Sequence, residues 1–149
     1  MSKSLAAQEV ANCTCLRLRK AARRVTQIYD RMLAPVDLTL TQFGLLAQLY
    51  AEQGLSIGDL AEALVTDPTT LTRNLKPLTE RGLVQIVQDE DDRRRRVIGL
   101  TPAGKAQIPV AYPLWRKAQA HVAQLLGESE TARLNMALDR SLARLTDDL

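Results

Sequence analysis

The stretch that decides the fold is Leu55–Thr101, which reads LSIGDLAEALVTDPTTLTRNLKPLTERGLVQIVQDEDDRRRRVIGLT. Its first part, Ser56–Leu64, places apolar side chains at helical spacing, namely Ile57, Leu60, Ala61 and Leu64. Ser56 is followed three positions later by Asp59, which is an approximate capping signature for a helix N-terminus. This pattern predicts a short helix that begins just after Ser56.

A second helix is predicted directly after the first. Asp67 offers a carboxylate that can cap the helix, and Pro68 suits the first helical position. The helix should run to Arg81, since Gly82 fits the position at which a helix ends. Two helices joined by so short a turn indicate a helix-turn-helix motif.

A charged β-hairpin is predicted to follow the second helix. Leu83–Gln88 has a strand-like period near two, and Val97–Leu100 can return beside it. Between them, Asp89–Arg96 holds four acids followed by four arginines, a run that no core can bury. We therefore expect a solvated hairpin tip. Helix, turn, helix and hairpin together predict a winged helix-turn-helix, within a mainly α fold that has a small β-wing.

Four segments of the chain carry a resemblance to a known family: Asp67–Arg73 (DPTTLTR), Leu78–Val84 (LTERGLV), Asp91–Arg94 (DDRR) and Leu100–Gly104 (LTPAG). In these segments the chain resembles the MarR family of bacterial transcriptional regulators. The resemblance extends over most of the chain, because helical segments flank the motif on both sides. It implies an obligate homodimer on pseudo-palindromic, double-stranded operator DNA. Such a protein is usually a repressor that a small ligand or thiol oxidation releases.

Composition is that of an ordinary globular protein with a mildly basic charge. The 149 residues fit one domain, 46% are hydrophobic, and the net charge of +3 is compatible with nucleic acid without establishing it. No apolar run approaches the roughly 18 residues that span a bilayer, and the N-terminus lacks an apolar signal core. We therefore expect a cytoplasmic protein with no membrane partner, whose two cysteines are reduced at rest.

The N-terminal third is predicted to contain two helices after a frayed tail over residues 1–9. The first should run over Val10–Ala34 and end at Pro35, with an apolar stripe of Cys15, Leu18, Ala22, Val25, Ile28, Tyr29 and Met32. The second should run from about Thr41 to Gln53 behind a capping box formed by Thr39 and Gln42. Its predicted core stripe consists of Phe43, Leu46, Leu49 and Tyr50.

Two further helices are predicted at the C-terminal end. The first should run from Pro102 to about Leu126, with a kink or break where Pro109 and Pro113 each remove a backbone hydrogen bond. The last should cover Glu128–Leu145. We expect a single MarR-like domain over residues 1–149. Within it, residues 1–35 and 102–149 form the dimerisation helices, and residues 36–101 form the DNA-binding lobe.

The predicted second helix of the motif is the candidate recognition helix, because the major groove of DNA admits an α-helix. Its outward candidates are Thr69, Thr70, Arg73 and Lys76, while Leu71, Leu75 and Leu78 should face the core. Arg73 is the best candidate for a bidentate guanine contact, and Thr69 or Thr70 for a thymine methyl or a phosphate. The alternative interpretation is a solvated polar face on a core helix.

The hairpin tip is the candidate wing. In the family, an acid two residues before an arginine orients that arginine into the minor groove, and Asp92 and Arg94 match this pattern. Arginine suits a narrow minor groove because the potential there is strongly negative. Arg93, Arg95 and Arg96 are candidates for phosphate contacts. The alternative is a charged turn whose acids neutralise its bases.

Cys13 and Cys15 lie near the start of the first predicted helix, where some family members carry a peroxide-sensing cysteine. On a helix, side chains two positions apart point about 200° apart, so these two cannot bridge without local unwinding or a partner in the other subunit. The alternative is that Cys15 is a small buried hydrophobe and Cys13 is incidental.

The family resemblance also implies an effector cavity where the DNA-binding lobe meets the dimerisation helices. Candidate lining residues are Tyr29, Phe43, Tyr112, Trp115 and Arg116, with Arg116 available to pair with an acidic ligand. We therefore expect a small aromatic or acidic effector. The alternative is ordinary core and interface packing.

Other chemistry is not expected from the sequence. His121 is the only histidine, no cluster has metal-ligand spacing, and no glycine-rich phosphate loop or Ser-His-Asp set occurs. We expect no metal or nucleotide cofactor and no enzymatic activity. Two alternatives remain open: a thiol-based enzyme that uses Cys13 or Cys15, and a winged-helix module that binds proteins rather than DNA.

Overall fold

A computed structural model describes residues 8–146, so most of the predicted N-terminal tail lies outside the described residues. The helices are α1 (Thr14–Leu33), α2 (Leu40–Ala51), α3 (Ile57–Ala63), α4 (Pro68–Glu80), α5 (Pro102–Leu126) and α6 (Glu128–Thr146). A short 3₁₀ turn, Ala34–Val36, follows α1. The strands are β1 (Leu55–Ser56), β2 (Val84–Gln88) and β3 (Arg96–Leu100). No helix in the described part of the chain has the length and apolarity to span a bilayer.

The chain divides into two compact units. The central unit is Tyr29–Trp115, and the terminal unit consists of Met1–Ile28 with Arg116–Leu149. The helix-turn-helix and the wing both lie in the central unit, so the fold of that unit positions the candidate DNA-binding residues.

Both helices of the predicted helix-turn-helix are confirmed, and their ends follow the predicted local signals. The backbone N–H of Asp59 donates to Ser56 Oγ at 3.1 Å, and the backbone N–H of Ser56 donates to Asp59 Oδ2 at 3.0 Å, which completes a capping box. Asp67 caps α4 by accepting from the backbone N–H of Thr70 at 2.8 Å. Gly82 follows α4 with a φ of +67°, a left-handed conformation that glycine adopts without strain.

The predicted hairpin is confirmed, and a third strand that we did not predict joins it. Strands β2 and β3 pair antiparallel, and β1 pairs with the other edge of β3, with Leu55 opposite Ile98. The two residues of β1 are too few to show a strand period in the sequence. This pairing joins the base of the wing to the segment just before α3.

The core of the central unit is built mainly from leucines of α1, α2 and the helix-turn-helix, together with apolar residues of the strands. Its most enclosed side chains are Leu33, Leu45, Leu46, Leu60, Leu71, Leu78, Ile98 and Val84. Two predictions for α2 were wrong: Tyr50 is 58% exposed, whereas Leu45, which we did not place in the core, is buried. Tyr50 lies in the last turn of α2 beside an open groove, and helical spacing alone does not show where the core below a helix ends.

Of the predicted kink or break in the fifth helix, the break is wrong, because α5 continues as one helix through Pro109 and Pro113. Within the central unit, Ala111 of this helix is fully buried, and Ile108, Leu114 and Trp115 pack against the core. This packing offsets a cost of about 3 kcal/mol that an interior proline imposes on a helix.

Helix α1 begins four residues later than predicted. Residues 8–11 are helical, but Cys13 is not, and regular helix starts at Thr14. The side-chain oxygen of Asn12 accepts from the Arg17 guanidinium at 2.6 Å, and the carbonyl of Cys13 accepts from the backbone N–H of Arg17 at 3.1 Å. An asparagine whose side chain forms a local hydrogen bond of this kind is favoured at a helix boundary over a helix interior.

The terminal unit leaves an apolar face without cover inside one chain. The only buried residue of α6 among those described is Thr131. Its large apolar side chains are exposed: Leu134, Met136, Leu138, Leu142 and Leu145. Leu16 and Leu18 of α1 are exposed as well.

Candidate nucleic-acid interface

Helix α4 separates an inward apolar face from an outward polar face, as predicted. Leu71, Leu75 and Leu78 are all at most 2% exposed. Thr69, Arg73 and Lys76 are exposed on the other side, and Thr70 is half-buried. The outward face is therefore free to meet a partner.

Among the side chains on that face, Arg73 is not paired with another described residue of the chain. It forms no ion pair with any residue between 8 and 146. Lys76 lies 3.9 Å from Glu80, and both side chains of that pair are largely exposed. The Thr70 hydroxyl donates to Asp67 Oδ2 at 2.6 Å, and this bond, followed by the bond from the Thr70 backbone N–H, lowers the pKa of Asp67. The Thr70 hydroxyl proton is therefore not free to donate to a phosphate, and the side chain offers its methyl group and an acceptor oxygen.

The backbone of the wing tip is organised by Asp92. Its carboxylate Oδ1 accepts from the backbone N–H of Arg94 at 2.9 Å, and its carbonyl accepts from the backbone N–H of Arg95 at 2.9 Å. The backbone N–H of Asp89 donates to the carbonyl of Arg95, also at 2.9 Å, and closes the hairpin. Asp92 thus acts on the backbone of Arg94, and no hydrogen bond joins its carboxylate to the Arg94 guanidinium in the described chain.

One tip arginine, Arg95, is engaged inside the chain. Its Nη2 pairs with Oδ2 of Asp59 in α3, and its Nη1 lies 3.3 Å from Oδ2 of Asp89. Hydrogen bonds from the backbone N–H and the hydroxyl of Ser56, followed by the bond from Arg95, lower the pKa of Asp59 to about 2. Asp59 was not among the predicted site residues, because its partner stands 36 positions away.

The other three tip arginines, Arg93, Arg94 and Arg96, are exposed and form no ion pair with any of residues 8–146. The alternative interpretation of the tip as an internally neutralised turn therefore explains Arg95 alone. Three cations at the tip and Arg73 on α4 remain available to an anionic partner.

The predicted effector residues are partly brought together. The rings of Tyr112 and Trp115 are stacked with centroids 5.8 Å apart, and the centroids of Phe43 and Trp115 are 6.2 Å apart. Phe43 is buried in the core and Tyr112 is half-exposed. Tyr29 is buried, and burial raises its pKa. Arg116 is exposed and belongs to the terminal unit.

An open groove of about 1040 Å³ lies elsewhere on the central unit. It runs between the end of α2, at Tyr50, and the wing strands, at Val87 and Gly99. None of the five predicted effector residues lines it. The sequence did not indicate this groove, because its walls come from segments about 40 positions apart.

Cys13 and Cys15 are both exposed free thiols. Within the single chain, Cys15 is therefore not a buried hydrophobe. Cys13 lies outside α1, so the angle expected for two positions on one helix does not apply to this pair. The described residues contain no cluster of three His, Cys, Asp or Glu side chains that could hold a metal ion.

Comparison with known proteins places these features in context. The family model described as MarR family matches residues 38–95, which cover the helix-turn-helix and the wing tip. The transcriptional activatory protein BadR of Rhodopseudomonas palustris is 32% identical over 127 residues, which is 83% of this chain and 71% of that protein. The organic hydroperoxide resistance transcriptional regulator of Bacillus subtilis is 30% identical over 96 residues. That match covers 64% of this chain and 65% of the relative, which is slightly under two thirds of its length.

Solved structures agree with the sequence comparison. The transcriptional regulator MOSR of M. tuberculosis, in complex with DNA, is 37% identical with a TM-score of 0.75. The similarity covers 90% of this chain and 98% of that one. The fold described above is therefore shared with a regulator that has been seen on DNA.

Proposed function

The chain belongs to the MarR family of transcriptional regulators, and on this premise we propose that it binds operator DNA as a homodimer and acts as a repressor. The observation that carries the proposal is the set of unpaired arginines. Arg73 on α4 and Arg94 at the wing tip are exposed, and neither is paired within residues 8–146. We place the protein in the cytoplasm because its proposed partner is there.

In this proposal α4 enters the major groove. Arg73 would contact a guanine edge with two parallel hydrogen bonds, and the methyl groups of Thr69 and Thr70 would meet thymine methyls. Lys76 would contact a phosphate at the cost of its exposed pair with Glu80, and such pairs contribute little to stability. In this arrangement Arg73 recognises the base sequence, whereas Lys76 fixes the position of the protein on the DNA backbone.

The wing would enter the adjacent minor groove. Arg94 would insert there, presented by the turn that Asp92 holds, while Arg93 and Arg96 would contact phosphates. Two of the four tip acids are engaged within the chain, because Asp89 is paired with Arg95 and Asp92 accepts from the backbone N–H of Arg94.

The exposed apolar side chains of α6 and α1 support a homodimer. Apolar faces of this kind on terminal helices are typical of surfaces that a second copy buries. A twofold pair would set two α4 helices in successive major grooves about 34 Å apart. The DNA site should therefore be a pseudo-palindrome.

The proposal is tested by sequencing the genomic DNA fragments that the purified protein enriches, followed by titration of the enriched site at several salt concentrations. We expect a palindromic consensus and an affinity that falls steeply with salt, because phosphate contacts release counterions. An absence of enrichment over input DNA would overturn the proposal. Salt-insensitive binding of a protein partner would instead favour the winged-helix interaction module.

Thiol oxidation is one proposed route of release, supported by the exposure of Cys13 and Cys15 and by the non-helical backbone at Cys13. One peroxide molecule, ROOH, would oxidise two thiols to a disulfide and leave ROH and water. We expect peroxide to weaken DNA binding of the wild type but not of the Cys13→Ser and Cys15→Ser variants. Unchanged binding of the oxidised wild type would eliminate this route.

We propose that the chain is not an enzyme, and the same thiols supply the test. A sensor consumes about one peroxide per reacting pair, whereas a thiol peroxidase turns over repeatedly when a dithiol reductant is supplied. Sustained peroxide consumption with reductant would favour the enzyme.

A small ligand is the other proposed route of release. The stacked rings of Tyr112 and Trp115 suit an aromatic ligand, and Arg116, the next residue along the chain, carries the charge that an acid would need. Trp115 is the only tryptophan, so its fluorescence reports directly on this cluster. Titration with benzoate as a probe should change that fluorescence and weaken DNA binding together. A change in neither would remove these residues from the effector site.

A further inference from the structure

The distal half of the wing has little packing of its own. Of the five residues of β2, only Val84 is buried, and Ile86 and Val87 stay exposed. On β3 the buried residues are Val97 and Ile98, and every residue from 90 to 96 is exposed. The hairpin therefore extends beyond the core that holds its base.

One side-chain link joins this distal part to the helices. Among the described residues, the pair between Arg95 and Asp59 is the only ion pair or side-chain hydrogen bond that connects residues 89–96 to a helix. The anchor is itself held firmly, because Asp59 Oδ2 also accepts from the backbone N–H of Ser56 in the capping box.

From this geometry we propose that Arg95 is a positioning residue that fastens the wing to α3 through Asp59 and presents Arg94 to the minor groove, without contacting DNA itself. The inference rests on the proposed DNA-binding function. It revises the expectation that all four tip arginines contact the duplex.

Charge argues against a phosphate contact by Arg95. Its two terminal nitrogens, Nη1 and Nη2, are directed at two carboxylates, on Asp89 and Asp59. A DNA phosphate would have to displace one of these partners and would then lie beside the released carboxylate. Arg96, one position away, has no such partner among residues 8–146, so it is the matched comparison.

The two roles predict opposite effects of Asp59→Asn, a variant that keeps an oxygen for the capping bond but removes the charge. If Arg95 positions the wing, the variant binds its operator more weakly, on the order of tenfold, as when one groove-reading contact is weakened. If Arg95 contacts phosphate, the variant binds more tightly, because a cation is released and a nearby negative charge is lost. Tighter binding would overturn the proposal.

Salt dependence gives a second discriminating measurement. We expect Arg95→Ala to lower affinity while the slope of log affinity against log salt stays that of the wild type. Arg96→Ala should reduce the steepness of that slope by roughly 1.8, the value for two lost phosphate contacts, one in each subunit of the proposed dimer. A slope reduced to the same extent in Arg95→Ala would overturn the proposal. Arg95→Lys should bind DNA more tightly than Arg95→Ala but more weakly than the wild type. A lysine ammonium can pair with one carboxylate, whereas the forked guanidinium of arginine pairs with both.

A measurement without DNA separates this inference from the proposed function. Amide hydrogen exchange at residues 89–96 should be faster in Arg95→Ala and Asp59→Asn than in the wild type, while exchange in α4 stays close to wild type. Unchanged exchange at the tip in both variants would overturn the proposal. If the wild type binds no DNA, the proposed function fails, yet the exchange measurement still decides whether Arg95 fastens the wing.

Discussion

The carbonyl oxygen of Leu83 occupies the space that a side chain at residue 104 would need. A Cβ atom built on Gly104 would stand 2.0 Å from Leu83 O and 3.2 Å from Leu100 Cδ2. The same junction is tied by Thr101, whose backbone N–H donates to Leu83 O at 3.1 Å and whose hydroxyl donates to Gly82 O at 2.6 Å. The first turn of α5 therefore lies directly against the base of the wing.

This contact predicts that Gly104→Ala destabilises the protein. The closest neighbouring atom, Leu83 O, belongs to the backbone and cannot rotate away, so overpacking should cost about 1–3 kcal/mol in the free energy of unfolding. Gly44→Ala is the matched control, because nothing lies within 4 Å of a Cβ at that helical position. Alanine there should stabilise the protein by roughly 0.5–1 kcal/mol. Urea denaturation of the two variants measures both effects, and equal stabilities would contradict the predicted clash.

The capping box of α2 predicts a second stability effect. The hydroxyl of Thr39 accepts from the backbone N–H of Gln42 at 3.2 Å, and Gln42 Oε1 accepts from the backbone N–H of Thr39 at 3.0 Å. Thr39→Ala removes the first bond and should cost about 1 kcal/mol. Thr41→Ala, two positions further on an exposed site, should change the free energy of unfolding by less than about 0.5 kcal/mol. Chemical denaturation that finds the two variants alike would refute the role of the cap.

The capped and paired Asp59 predicts a pH dependence of stability. Its pKa is lowered from 3.8 to about 2, so the carboxylate stabilises the folded state when ionised. This contribution to stability is complete above pH 4 and is lost as the pH falls towards 2. In that range the unfolded chain binds a proton on Asp59, whereas the folded protein does not bind it until the pH is near 2. The stability difference between wild type and Asp59→Asn should therefore be constant above pH 4 and shrink below it. A difference that does not vary between pH 5 and pH 2 would contradict the lowered pKa.

The free guanidinium of Arg94 predicts a loss of operator affinity on truncation. Arg94→Ala should weaken binding by roughly 1–3 kcal/mol and leave the protein folded, because the side chain has no ion pair within residues 8–146 to lose. Arg133→Ala is the control, since Arg133 pairs with Glu130 on an exposed part of α6. Gel-shift titration should find wild-type affinity for the control only. Wild-type affinity in Arg94→Ala would remove this residue from the site.

The exposed leucines of α6 predict that a charge placed among them disrupts the proposed homodimer. Leu142 is 51% exposed in the single chain, and a second copy would cover it. Leu142→Asp would then bury an unpaired carboxylate, which the assembly avoids by dissociating. Arg140→Asp places the same carboxylate on the polar side of the helix and should leave the mass unchanged. Light scattering after size exclusion gives the masses, and an intact dimer in Leu142→Asp would exclude this face from the interface.

Several features of the fold were predictable because their causes lie within a few residues of each other. The capping boxes at Thr39 and Ser56, the cap at Asp67 and the stop at Gly82 are interactions with near neighbours, and each was confirmed. The charged run between β2 and β3 had to be a solvated tip for reasons of desolvation alone. Local signals of this kind suffice for the helix-turn-helix and for the position of its wing.

The amino-acid sequence alone determined the winged helix-turn-helix and the leucine face of α4, since hydrophobic period, capping and turn chemistry act over short distances. Only the tertiary structure decided which of the four tip arginines is held inside the chain, because Asp59 and Arg95 meet across 36 positions. It likewise decided that β1 pairs with β3 and that α5 continues through two prolines. Those outcomes depend on packing between segments that are distant in the sequence. A local pattern of residues does not give the energy of such packing.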